Sequence, residues 1–248
     1  LVPQPMTAHA RSTRALVERH CERVVRVAPT PAAVAEGVRA AAAALVGAGT
    51  RRGVTFVPPG GTTPAGTVGH VRAGLELADQ VASGACGVPR RVYVALGTGG
   101  TAVGLALGLA LAGLDTEVVA VRVATRLAGN RRHLELLSRR TFHLLGRHGL
   151  VGARPRTSLV VEHGAVGPGY GHPTPAARRA VALARRDGLA LETTYSGKAL
   201  AALLDDARRR PEDGPLMLVN TYGPIEALEG RSGRPTPGAK GRAAEESA

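Results

Sequence analysis

A three-layer αβα fold with a mostly parallel sheet is what this sequence predicts, and three observations predict it. Short runs of β-branched residues alternate with stretches of helical period. The pair Thr30-Pro31 recurs as Thr174-Pro175, each time just before a helical stretch. Threonine there caps the free N–H groups, and proline occupies a first-turn position where its missing N–H is harmless. The third observation is the span from Val92 to Leu114, which holds no charged residue. It is long enough to cross a bilayer. Gly97, Gly99 and Gly100 nevertheless cluster with two threonines where the chain has to turn. A buried strand, a tight turn and a buried helix explain the span better than a membrane helix.

Taken in order, 6–19 reads as a helix with Thr7 as its cap. A strand follows at 23–27, a helix at 31–46 and a strand at 54–57. Pro58-Pro59-Gly60-Gly61-Thr62-Thr63-Pro64 is a rigid loop that ends this strand. Beyond it, 67–82 reads as a helix with Val68, Val71, Leu75 and Ala78 on one face, and 91–96 as a strand. The helix 101–112 is apolar all round, which predicts burial on most sides. A strand at 117–123, a helix at 130–147 and a strand at 159–161 come next. Leu134, Leu137, Phe142 and Leu145 face inward from that helix. The Thr174-Pro175 helix runs to Arg186, with Gly188 as its stop. A short extended piece at 189–192, a helix at 197–209 and a strand at 216–219 complete the order. From Gly230 onward no apolar period remains, and disorder is expected.

Composition narrows the function classes. The 248 residues carry a net charge of +13, and every basic residue except Lys198 and Lys240 is arginine. Such a charge favours anionic partners. The arginines are nonetheless scattered as pairs such as Arg51-Arg52 and Arg185-Arg186. Aromatic residues make up 2% of the chain, so no base-stacking surface accompanies them. Nucleic acid is therefore not expected as a partner, nor is a membrane. Cys21 and Cys86 form neither a disulfide framework nor a metal cluster and read as two buried thiols. The histidines show no metal spacing. No secretory leader is visible, so a cytoplasmic location is expected. The chain opens on Leu1 rather than methionine, as a chain that begins partway through a longer gene product would.

Ligands of open α/β sheets bind beyond the carboxyl ends of strands, which directs attention to four corners. Leu96-Gly97-Thr98-Gly99-Gly100-Thr101 follows a strand and opens a helix. Its glycines allow successive N–H groups to point inward, the helix start adds its dipole, and Thr98 and Thr101 add hydroxyls. This is a phosphate cradle on physical grounds. Gly97, Gly99 and Ala102 also fit the G-x-G-x-x-A spacing of dinucleotide sites. The acid expected at the end of the next strand is absent, however, and Arg122 stands there. The second corner is the 59–63 loop. The third is Gly167-Pro168-Gly169-Tyr170-Gly171-His172-Pro173-Thr174. The fourth joins Thr193-Thr194-Tyr195-Ser196-Gly197-Lys198 to Asn220-Thr221-Tyr222-Gly223, whose hydroxyls suit a heteroaromatic ring.

These residues, in this order, resemble the pyridoxal-phosphate enzymes of the tryptophan-synthase-β fold type (fold type II). The nearest branch is that of 1-aminocyclopropane-1-carboxylate deaminase and D-cysteine desulfhydrase. The resemblance runs from Gln4-Pro5 through Val57-Pro58-Pro59-Gly60-Gly61-Thr62, Gly66-Thr67-Val68-Gly69-His70 and Gly97-Thr98-Gly99-Gly100-Thr101. It continues through Tyr170-Gly171-His172-Pro173-Thr174 and Tyr195-Ser196-Gly197-Lys198-Ala199 to Asn220-Thr221-Tyr222-Gly223-Pro224. It implies a partial small αβ domain at 1–56, a large cofactor-binding domain at 57–229 and a tail at 230–248. It implies that Gly97, Thr98, Gly99, Gly100 and Thr101 hold the phosphate of pyridoxal 5′-phosphate and that Thr221 sits by the pyridine nitrogen. Tyr195 and Tyr170 become the catalytic candidates for proton transfer or leaving-group contact. The implied chemistry is deamination or elimination of a small amino acid to a 2-oxo acid and ammonia, in a homodimer.

Two departures qualify this expectation. The deaminases carry a carboxylate after the second tyrosine, where this chain has Ser196, as on the desulfhydrase side. The family's Schiff-base lysine lies in an amino-terminal Asn-Lys segment that nothing here matches, since Lys198 aligns with a different lysine. An inactive fragment is therefore expected, or one that works with a complementary amino-terminal polypeptide. The rival from another class is a non-catalytic phosphate- or nucleotide-binding α/β protein.

Overall fold

A computed structural model describes residues 7–21, 57–124, 129–212 and 214–223. The expected strands at 23–27 and 54–57, the helix at 31–46 and the tail lie outside the described residues, apart from Val57. Most of the expected small domain does as well. Helix α1 spans Ala8–His20, and the Thr7 hydroxyl accepts from Ala10 N–H as predicted.

The rest forms three layers. Strands β1 (Arg91–Leu96), β2 (Glu117–Arg122), β3 (Leu159–Glu162) and β4 (Leu216–Leu218) make a parallel sheet in the order β3-β2-β1-β4. Strand alternation sends Val92, Val94 and Leu96 of β1 and Val118 and Ala120 of β2 to one face. There they pack with Ala102, Val103, Leu105 and Leu109 of α3 (Gly100–Leu111) and Leu134 and Leu137 of α4 (Arg131–Arg147). Tyr93, Val119 and Val121 point to the opposite face, against Ala199 of α6 (Ser196–Arg209). Helix α5 (Pro175–Arg186) buries Ala177, Ala180 and Ala184 and packs on α6. Each fully buried Val or Leu contributes roughly 1.5–3 kcal/mol, so this valine-rich sheet holds a core almost without aromatics.

The apolar helix at the sheet centre is buried from Ala102 through Leu109, as its composition predicts. The uncharged span is thus strand, turn and helix, and among the described residues no helix is long and apolar enough to cross a membrane. Helix α2 (Pro64–Ala82) corrects the sequence reading in two ways. It starts three residues earlier than expected, on a third Thr-Pro pair, with the Thr63 hydroxyl accepting from Gly66 N–H at 2.9 Å. Its buried face is Thr67, Val71, Gly74 and Leu77, whereas Leu75 is exposed. Close approach to α3 at glycine decides that face: a Cβ on Gly74 would lie 2.8 Å from the Leu105 carbonyl oxygen. Residues 189–192 form no strand and lead into a turn. Cys21 is exposed and Cys86 half-buried, not the two buried thiols expected.

Candidate active site

The 97–101 corner sits at the carboxyl end of β1, where the sheet topology places ligands. Four of the described helices start on a side-chain cap, from Thr7, Thr63, Asn130 and Thr174. Helix α3 does not. Its N-cap is Gly99, held at φ +103°, and no side chain caps its first turn. The first N–H groups of a helix have no intrahelical acceptor, and the dipole makes that end favourable for an anion. These groups face a cleft of about 190 Å³ lined by Gly97 to Thr101, by Gly60, Gly61 and Thr62 of the preceding loop, and by His70, Tyr195 and Thr221.

The loops around the cleft are braced against one another. Thr62 and Thr98 share a hydroxyl hydrogen bond at 2.5 Å, joining the 59–63 loop to the cradle. A Cβ on Gly60 would lie 2.4 Å from Thr98 Oγ1, and Gly60 is in the left-handed region, so only glycine permits that approach. His133, one of the histidines without metal spacing, bonds through Nε2 with the Thr98 carbonyl at 3.1 Å. His70 lies 3.3 Å from Thr101 Oγ1 through Nε2. His70 closes the Gly66-Thr67-Val68-Gly69-His70 stretch of the resemblance, whereas His133 belonged to no motif. Both reach the loop through the packing of α2 and α4 around α3.

The structure brings Tyr195 and Tyr170 together. Their hydroxyls hydrogen-bond, and their rings meet edge to face at 6.0 Å between centroids. Tyr195 lines the cleft opposite Gly97, where an added Cβ would lie 3.7 Å from its ring, and Tyr170 is not among the lining residues. Gly167, Gly169 and Gly171 all take positive φ around Tyr170, which accounts for the glycine spacing of this motif. Burial, with the Tyr170 contact next, pushes the Tyr195 phenol well above its ordinary pKa. At neutral pH it is therefore a protonated donor.

What fixes Tyr195 escaped the sequence reading. The buried carboxylate of Glu192 accepts from Thr194 N–H at 2.6 Å, Tyr195 N–H at 2.7 Å and Ser196 N–H at 2.8 Å. It stands in for the missing cap of α6. Ser196 is turned into this network, its hydroxyl accepting from Glu192 N–H at 3.0 Å. Lys198 is fully buried, and its ammonium donates to the Val166 carbonyl at 2.8 Å. That bond ties α6 to the turn leading to Tyr170. Burial lowers the Lys198 pKa, partly opposed by Glu192.

A dinucleotide does not suit this corner. Arg122, the residue that would have met a 2′-phosphate, is buried and donates to His163 Nδ1 at 2.9 Å and to the Ala124 carbonyl at 2.8 Å. The cleft is also smaller than the roughly 300–1,000 Å³ of sites for drug-sized ligands. A second cleft of about 800 Å³, between α4 and the β3 edge, contains none of the sequence-predicted site residues.

A family model described as pyridoxal-phosphate dependent enzyme matches residues 1–221. The chain belongs to this family. D-cysteine desulfhydrases of Salmonella paratyphi C and Salmonella newport are 33% and 32% identical over 173 residues, which is 67% of this chain. Those residues are 49% of each relative, so the chain spans about half the length of the curated relatives it matches. The crystal structure of an ACC deaminase homologue is similar at a TM-score of 0.62 and 27% identity, covering 82% of this chain and 59% of that one. The architecture is accordingly that of the fold type II branch, and the family's cofactor is pyridoxal phosphate. The residues present suit its phosphate: an uncapped helix start, glycines that leave the backbone accessible, and the hydroxyls of Thr62, Thr98 and Thr101.

Proposed function

We propose that this chain supplies the phosphate and ring half of a pyridoxal-phosphate site for deamination or elimination of a small amino acid. The product is a 2-oxo acid with ammonia. The substrate resembles 1-aminocyclopropane-1-carboxylate or D-cysteine. The observation that carries this reading is the uncapped start of α3 opening on a cleft that also holds Tyr195 and Thr221. Gly97 to Thr101 bind the phosphate through N–H groups and hydroxyls. Thr221 meets the pyridine nitrogen with a neutral hydroxyl rather than a carboxylate. When bound, the cofactor supplies the electron sink for the substrate's α-carbon. Tyr195 donates a proton toward the leaving side of the substrate, and Tyr170, bonded to its hydroxyl, restores it.

The carrier amine has no counterpart in the described site. No lysine lines the cleft, and Lys198 is committed to Val166. The chain alone is therefore expected to bind pyridoxal phosphate through its phosphate without turnover. Its working form is a homodimer whose carrier lysine comes from outside the described residues, in the rest of a longer chain or in a complementary amino-terminal polypeptide.

The test mixes the 248-residue chain with pyridoxal phosphate and D-cysteine or 1-aminocyclopropane-1-carboxylate. The expected result is a raised melting temperature, no band near about 410–420 nm, and neither 2-oxo acid nor sulfide. A stable band from the chain alone would show that one of its own lysines carries the cofactor. No thermal shift at millimolar cofactor would remove the binding reading.

A further inference from the structure

In a chain with a net charge of +13, no arginine or lysine among the described residues lines this cleft. A phosphate entering it meets N–H groups, hydroxyls and one ionisable base, His70. We propose that His70 is the cationic partner of the cofactor's phosphate, taking up a proton as the phosphate binds. This rests on the cofactor-binding reading above and deepens it.

Three observations carry the assignment. His70 lines the cleft and meets Thr101 Oγ1 at 3.3 Å through Nε2. Its ring is brought there by glycine at the helix crossing, where a Cβ on Gly104 would lie 2.4 Å from His70 Cβ. The protonation state also sets the direction of the Thr101 bond. With a bare Nε2, imidazole accepts the Thr101 proton and withdraws that donor from the cleft. A protonated imidazole donates to Thr101 Oγ1, so the threonine hydroxyl is free to donate to a phosphate oxygen. One proton thus adds a positive charge and turns a hydroxyl toward the anion.

The neighbours leave this titration to His70. Helix α3 has no ionisable residue from Gly100 to Leu111, nor does the loop from Pro58 to Thr63, and beside Thr221 stands only the half-buried phenol of Tyr222. From α4, His133 is engaged with the Thr98 carbonyl, and Arg131 and Arg132 are exposed. From the start of α6 comes Tyr195, a protonated phenol. On α2 itself, Arg72 and Glu76 are exposed. Burial lowers the His70 pKa below its ordinary value of 6.5 in the free protein, and a bound phosphate opposes that shift. The phosphate ester has a second pKa of about 6. Above both values the free partners hold no shared proton and the complex holds part of one, so binding draws protons from solvent.

The test uses 4-deoxypyridoxine 5′-phosphate, which lacks the aldehyde and so binds without any lysine. Calorimetry of the full chain in buffers of different ionisation enthalpy, from about pH 6.5 to about pH 8.5, counts the protons taken up. The wild type is expected to take up a fraction of a proton, about half at most for a rise of one unit, with affinity falling as pH rises and levelling off at the alkaline end. His70→Phe is expected to bind about tenfold more weakly at the acidic end, to take up no proton, and to converge with the wild type at the alkaline end. Proton NMR of the wild-type histidines gives the same answer without a variant: one ring should rise by about a unit or more in pKa with the probe or with inorganic phosphate. Probe binding with a flat pH profile and unmoved histidines overturns the role of His70 and leaves the cradle standing. Failure to bind either anion at any pH overturns both.

Discussion

Replacing Gly108 with alanine is expected to cost roughly 2–4 kcal/mol, a large share of the stability of a domain this size. The added Cβ would lie 2.2 Å from the Val71 carbonyl oxygen and 2.9 Å from Gly74 Cα. Both are backbone atoms, which no rotamer change can move, so the helices α2 and α3 must separate. That crossing positions His70 over Thr101 and aims the start of α3 at the cleft. The variant should therefore lose phosphate affinity together with stability. Gly69, on the open side of α2, is the control. Nothing lies within 4 Å of its ideal Cβ, so Gly69→Ala should stabilise by about 0.5–1 kcal/mol through helix propensity alone. Urea unfolding followed by circular dichroism measures both. A Gly108→Ala variant within 0.5 kcal/mol of wild type, a figure of about the surface-substitution scatter, would show that the helices are not in backbone contact.

The two glycines also mark how far the sequence can be read. Thr7, Asn130 and Thr174 are local signals, and each helix they start lies where propensity and capping place it. The strands at 91–96 and 117–122 likewise show through as nearly continuous apolar runs, because a parallel sheet covered on both faces demands apolar residues at almost every position. The glycine cradle was legible for the same reason, since its chemistry lies in consecutive residues. The face of α2 was not. A hydrophobic pattern favours Leu75, but contact with α3 is set by the smallest residues, Gly74 against Gly108, and periodicity rules count glycine as no signal. His133 and Glu192 escaped because each acts across elements or against its own backbone rather than within a motif, and His70, though part of the 66–70 stretch, gained its role only through the helix crossing. Thr63-Pro64 repeats the arrangement seen at 30–31 and 174–175. The proline-rich loop in front of it masked the helix start.

Glu192→Ala is the other change expected to act strongly. The carboxylate holds the N–H groups of Thr194, Tyr195 and Ser196 in a buried setting, and each orphaned group costs about 1–3 kcal/mol. Partial relaxation should leave a net loss of roughly 3 kcal/mol. Glu192→Gln keeps one acceptor oxygen and should lose less, about 1–2 kcal/mol. The isosteric change also separates packing from charge. Glu192 is one of the groups that raise the Tyr195 pKa, after burial and the Tyr170 contact. Removing its charge lets the phenol ionise at lower pH while the ring stays in place. The sign for stability follows from the raised native value. The protonated phenol's contribution is complete below the unfolded pKa of 10.0 and is lost as pH climbs through the native one. In Glu192→Gln that loss is complete at a less alkaline pH. Absorbance at the tyrosinate band, read beside alkaline unfolding, checks the pair of effects. If Glu192→Gln unfolds and titrates as wild type does, the carboxylate is not what holds Tyr195, and its place over the cleft must come from the Tyr170 hydroxyl alone.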